Sequence, residues 1–319
     1  MSYNEKVNIY VPEEIGRLLR NDARLFEILK TDMYSINLNR LMTLIIIGYY
    51  DLYREELNNA SNKIKRILEF EEVDSEKVLS ITNSIINEIV EPQVPNRKGK
   101  HPDKLSLKPT KETESIINNI PPSEYVSQYL CKLLVSYCGK PFYQRERIVF
   151  KDKYDFIIES CLNNKPIVFS TIWNKDTVHT VVPYKIVYSK EEMYNYLLCE
   201  EINKDSGKQE TRSYRLNRIY NVRRAFIDLH LTDENEHFFK KMEKYGPQYP
   251  INKEEKICIS LNDQGVKFFN RVYTGRPDPI KREQTKTGYN YFFDCSLSQI
   301  EQYLRKFEDQ SSYIIKDFS

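Results

Sequence analysis

The chain has 319 residues, 40% of them hydrophobic and 29% charged, with a formal net charge of only +2. That length suits two or three domains with cores of their own. The near-neutral balance excludes a general polyanion-binding field, so any nucleic-acid contact falls to local patches.

The first residues, MSYNEKVNIYV, show no basic stretch followed by an apolar run, so no signal peptide is expected. The most apolar run, LMTLIIIGYY at 41–50, is far shorter than the roughly 20 residues a bilayer requires. A cytoplasmic protein without a membrane partner is expected. The six cysteines are scattered and form no C-x-x-C pair, which points to reduced, mostly buried thiols. The four histidines make no metal-binding spacing. No glycine-rich phosphate loop and no nucleophile elbow is present, so neither a cofactor nor an enzyme activity is expected.

In chain order, Val7, Ile9 and Val11 alternate with polar neighbours and predict a short strand with one apolar face. Pro12 opens a helix with Glu13 and Glu14 in its first turn. A second helix follows, capped by Ser35 or Asn37, with Leu38, Leu41, Leu44, Ile45 and Tyr49 on one face. A single strand before two helices has no partner nearby, and a second copy of the chain is the expected source of one. Residues 61–165 read as helical, interrupted at 91–111 by a Pro- and Lys-rich stretch taken as an exposed basic linker.

From Pro166 the period changes. PIVFSTIW, VHTVVPYKIVYS, MYNYLLCEEI, ETRSYRL and IYNVRRAFI predict five strands, enough for a small barrel. After them, KICISL, DQGVKFFNRVY, PIKREQTK, YNYFFDC, SLSQIEQYLRKFE and SYIIK predict the order β-α-β-β-α-β. Ser296 with Gln299 has the spacing of a capping box.

The run SYRLNRI, residues 213–219, places Arg215 and Arg218 in a half-buried strand, with Arg212 just ahead. Alternation puts Arg212, Tyr214, Leu216 and Arg218 on one face and Ser213, Arg215 and Asn217 on the other. Two readings stand. The arginines pair with Glu200, Glu201 or Asp228 and hold the sheet, or they offer planar forks to phosphate while Tyr196 and Tyr184 stack bases. His179, on a neighbouring strand, is a rim candidate.

Several of these motifs carry resemblances. The N-terminal strand and two helices resemble the ribbon-helix-helix family of nucleic-acid-binding dimers. That resemblance implies groove-facing roles for Lys6, Asn8 and Tyr10, and a phosphate-anchoring helix start around Asn37, Asn39 and Arg40. A strand-swapped dimerisation module that touches no nucleic acid is the alternative. Residues 166–226, through VVPYKIV, NYL and SYRLNRI, resemble the WYL family of Sm- or SH3-like barrels, with Asn195 in place of the family's Trp and Asn217 in place of its Asp. The tail resembles the ferredoxin-like extension that often follows such barrels. The whole order is similar to the accessory WYL proteins of RNA-targeting type VI-D CRISPR systems.

The expected fold is therefore α+β and multidomain: ribbon-helix-helix-like 1–60, helical 61–165 with its linker, a WYL barrel at 166–228 and a ferredoxin-like domain at 229–319. The resemblance implies a non-catalytic homodimer that binds single-stranded nucleic acid, RNA above DNA, and stimulates a CRISPR effector nuclease. The alternative is a DNA-binding transcription regulator whose WYL domain senses a ligand.

Overall fold

The computed structural model describes residues 6–92, 102–122, 124–203 and 206–317, a mixture of helices and antiparallel sheets. The chain divides into two compact units, Met1–Asp152 and Lys153–Ser319.

In the first unit, strand β1 (Val7–Val11) leads into helix α1 (Glu13–Leu25) and then into the long helix α2 (Leu38–Phe70). The Asn37 side chain accepts the Arg40 N–H at 3.0 Å and so caps α2, as its position in the sequence suggests. Leu41, Ile45, Tyr49 and Tyr53, four residues apart, are the buried stripe of α2. Helix α3 (Ser75–Ile85) follows, with a π-helical turn at Ile86–Val90. Strand β2 (Asp103–Leu107) and helices α4 (Lys111–Asn118), α5 (Val126–Cys138) and α6 (Phe142–Val149) complete the unit. Leu130, Leu133, Leu134 and Tyr137 of α5 are buried.

Strand β2 corrects two expectations. It lies inside the stretch read as a linker, and it pairs antiparallel with β1, Ile9 opposite Leu105 and Val7 opposite Leu107. The partner that β1 needs is thus supplied within the chain, and β1 requires no second copy to pair with. The physical reason is a five-residue alternation. Leu105 and Leu107 are buried while the alternating Lys104 and Ser106 are exposed, a signal hidden by the prolines and lysines around it. Arg20 of α1 grips Asp103 with both terminal nitrogens, at 2.5 and 2.8 Å. Gly16 makes room for this pair, since a Cβ there would stand 1.9 Å from the Asp103 carboxylate. Arg97, Lys98 and Lys100 of the expected linker lie outside the described residues.

A buried Asp22 joins three helices of this unit. It accepts two bonds from Arg145 of α6, at 2.8 and 2.9 Å, and one from the Tyr137 hydroxyl of α5 at 2.9 Å. Paired and hydrogen-bonded in this way, a buried charge is tolerated.

The second unit opens with helix α7 (Lys151–Leu162), whose first two residues belong to the unit before. Five strands follow: β3 (Ile167–Thr171), β4 (His179–Tyr188), β5 (Asn195–Ile202), β6 (Gln209–Arg215) and β7 (Ile219–Arg224). They form one antiparallel sheet in the order β6-β5-β4-β3-β7, so the last strand returns beside the first. A 3-10 turn, Leu216–Arg218, links β6 to β7. The Lys153 ammonium pins that turn, donating to the Leu216 and Ile219 carbonyls at 2.8 and 2.5 Å. Pro183, which has no N–H to give a ladder, sits beside a register shift between Pro183 and Lys185.

Helix α8 (Asp233–Tyr245) is additional to the elements expected from the sequence. It packs Phe238, Phe239 and Met242 against Leu198. The remaining elements are β8 (Ile257–Asn262), α9 (Asp263–Arg271), β9 (Lys281–Thr285), β10 (Gly288–Phe293), α10 (Leu297–Leu304) and β11 (Tyr313–Asp317), in sheet order β11-β8-β10-β9. Their element order is the one the sequence predicts. Ser296 accepts the Gln299 N–H at 3.2 Å, but the Gln299 amide reaches the Tyr245 carbonyl at 2.9 Å, so the reciprocal half of the capping box is replaced. All six cysteines are free, five of them buried.

Candidate nucleic-acid interface

Arg215 ends β6 opposite Tyr196 of β5. Its Nε donates to the Tyr196 hydroxyl at 2.8 Å, and a terminal nitrogen meets Glu192 at 2.5 Å. The same guanidinium lies 4.1 Å from the ring centre of Tyr194, a cation–π distance. The Tyr196 hydroxyl in turn donates to Glu192. Glu192 and Tyr194 belong to the β4–β5 turn, where Met193 between them takes a left-handed φ of 64°. Burial pushes the Tyr196 phenol well above its ordinary range, an effect the Arg215 bond opposes, so it stays protonated.

Arg215, Tyr196 and Glu192 line a cleft of about 630 Å³. Arg218, from the 3-10 turn, lines it as well, together with Trp173, Tyr214, Tyr249 and Gln248. Trp173, the sole tryptophan, is 59% exposed. The chemistry gathered here is two guanidinium groups, several aromatic rings and amide or hydroxyl groups from Gln248 and Ser213. That combination suits a phosphate beside a flat base.

The expected residues divide. Arg215, Arg218 and Tyr196 converge on the cleft. Tyr196 is only 6% exposed and its hydroxyl is occupied, so it orients Arg215 and offers no open face for stacking. Tyr184 does not reach the cleft; its ring stacks on Phe239 of α8 at 4.3 Å. Arg212 pairs with Glu210 at 3.0 Å, and the strict alternation expected through Arg218 ends where the 3-10 turn begins. His179 meets Glu201 at 2.9 Å and the Tyr214 hydroxyl at 3.0 Å, standing one residue behind the cleft wall. Of the carboxylates expected to partner the arginines, Glu200 accepts from Thr232 and Gln209, Glu201 meets His179 and Tyr214, and Asp228 meets His230, while Arg215 takes Glu192.

In the first unit the polar side chains of β1 lie beside those of its partner strand on one face of the pair. The Asn8 side-chain Oδ1 accepts from the Ser106 hydroxyl at 3.0 Å, Tyr10 lies opposite Lys104, and Lys6 is exposed. Asn39 does not present itself to an anion, because its side-chain oxygen accepts the Lys108 N–H at 2.7 Å. Arg40 is exposed. These side chains therefore decorate an intrachain strand pair, where the resemblance implies a ribbon formed between two chains.

Sequence reasoning missed Glu192, Trp173 and Tyr249. A tryptophan just past a strand end was an available signal for one of them. Among the described residues no group of His, Cys, Asp and Glu is placed to hold a metal ion. No described helix is long and apolar enough to cross a membrane.

Neither a protein-family model nor a curated protein sequence matches the chain. Among solved structures, the fold is that of a chain described as a CRISPR Cas-related protein. The TM-score is 0.66 at 17% identity, and the match covers 99% of this chain and 89% of that one. At such identity the likeness is one of fold. Proteasome accessory factor B/C (PafBC) of Arthrobacter aurescens also matches, at 10% identity over 99% of this chain and 47% of that one. Its TM-score of 0.25 carries no argument.

Proposed function

We propose that the protein is a non-catalytic, CRISPR-associated regulator that binds single-stranded nucleic acid, RNA above DNA, at the arginine cleft. In this reading the five-stranded sheet is a WYL-type, SH3-like barrel, the tail is its ferredoxin-like extension, and the bound complex stimulates an effector nuclease. The observation that carries the proposal is the convergence of Arg215 and Arg218 with exposed Trp173 on one cleft. Two features support the barrel assignment. The strand order β6-β5-β4-β3-β7 brings the last strand back to the first, and a 3-10 turn precedes that last strand. The fold likeness to a CRISPR Cas-related protein supports the setting.

The test is binding of a fluorescent single-stranded RNA, competed by duplex DNA, to wild type, Arg215→Ala and Arg218→Ala at several salt concentrations. Each lost phosphate contact is expected to flatten the salt slope by about 0.7. Unchanged slopes in folded variants would sink the proposal. A preference for duplex DNA would favour the transcription-regulator alternative.

A further inference from the structure

The sheet of β8 to β11 has two unlike faces. Ile257, Ile259 and Leu261 of β8 and Tyr291 and Phe293 of β10 share one core with Phe268 and Phe269 of α9 and with Ile300, Tyr303 and Leu304 of α10. Both helices therefore lie on the same side of the sheet. Alternation sends the intervening Cys258, Ser260, Asn290 and Phe292 to the other side.

Strand pairing sets that other side in rows, because residues directly opposite one another share a face with Cβ atoms about 4.5–5.5 Å apart. One row runs Lys316, Cys258, Phe292, Lys281, and the next Ile314, Ser260, Asn290, Glu283. Solvent reaches both rows. Lys316 is exposed, the Lys281 side chain is 64% exposed, Ile314 is 61% exposed, and Phe292 and Asn290 are half-buried.

The row that holds the ring carries an ammonium at each end and no carboxylate. Lys281 Nζ stands 5.6 Å from the ring centre of Phe292. In the next row Glu283 meets Lys281 at 2.5 Å, whereas Lys316 has no carboxylate partner among the described residues. The Ser260 hydroxyl donates to Asn290 Oδ1 at 2.7 Å, which orients the amide and leaves its Nδ2 hydrogens as donors.

We propose that this sheet face is a second contact surface for single-stranded RNA. One base stacks on Phe292, the phosphates beside it meet Lys281 and Lys316, and the Asn290 amide donates to a base edge. A ring, two cations and an oriented amide match the three parts of a nucleotide strand, while Ile314 alone is too little apolar surface to hold a second copy of the chain. The inference rests on the single-strand reading of the protein and extends it from the arginine cleft to the tail.

The test is fluorescence anisotropy of a labelled single-stranded RNA with full-length wild type, Phe292→Ala, Lys316→Glu and Arg218→Ala at several salt concentrations, each protein checked by a melting curve. Phe292→Ala is expected to weaken binding at least about five-fold. Lys316→Glu, an exposed change that serves even where Phe292→Ala fails to fold, is expected to flatten the salt slope by at least about 0.7. Loss in Arg218→Ala, with both face variants binding as wild type does, overturns this inference and leaves the cleft standing. Loss in the face variants alone overturns the cleft and upholds the face, and a wild type that binds no RNA overturns both. Face variants that keep their affinity but sediment as monomers, where wild type sediments as a dimer, give this surface to a second copy and overturn the inference.

Discussion

Arg215 divides its guanidinium between a phenol and a carboxylate, and that division governs what the cleft can bind. Glu192 occupies the position from which a phosphate oxygen would meet the same fork. An incoming strand must compete with it. Replacing Glu192 by Gln removes the competing charge while keeping a side chain of similar shape. Single-stranded RNA should then bind several-fold more tightly, with a salt slope steeper by about 0.7. Fluorescence anisotropy at several salt concentrations, beside a melting curve, checks this. Weaker binding that tracks a fallen melting temperature would make Glu192 scaffolding instead. Neither Glu192 nor its partnership was legible in SYRLNRI, because the two residues are 23 positions apart and meet only across the β4–β5 turn.

At the scale of elements, the β1–β2 pair is where composition misled. Five residues are too few for periodicity to stand out against the lysines and prolines around them, yet two buried leucines suffice to fix the register. Leu107→Ala should cost about 2–5 kcal/mol, the range of a buried leucine. An exposed linker position would change stability by less than about 0.5 kcal/mol. Urea denaturation of the full chain separates the two. Helix α8 escaped notice for a related reason: its buried contacts come from Phe238, Phe239 and Met242, three apolar residues in a sequence otherwise dense in charge. The long, strongly periodic elements were legible, α2 and α5 by their stripes and β4 and β5 by their tyrosines and aliphatic residues.

For the whole molecule, the division after Asp152 assigns the arginine cleft to the second compact unit alone. A chain of residues 153–319 is expected to fold alone, giving a single cooperative thermal transition by circular dichroism. It should also retain the affinity of the full protein for single-stranded RNA. A fragment that folds but has lost that affinity would transfer the nucleic-acid contact to the first unit, where Lys6 and Arg40 are exposed.

The sequence by itself determined the type and order of most elements, the caps such as Asn37, and which faces are apolar. All of these follow from spacing within a few residues, where backbone geometry dictates which side chains share a face. Only the tertiary structure decided which side chains meet. It paired β1 with a strand nearly a hundred residues on, and it sent Tyr184 to Phe239 while Tyr196 turned to Arg215. Each of these contacts joins distant positions through a turn, a register shift or a packed helix, and no local period encodes that geometry.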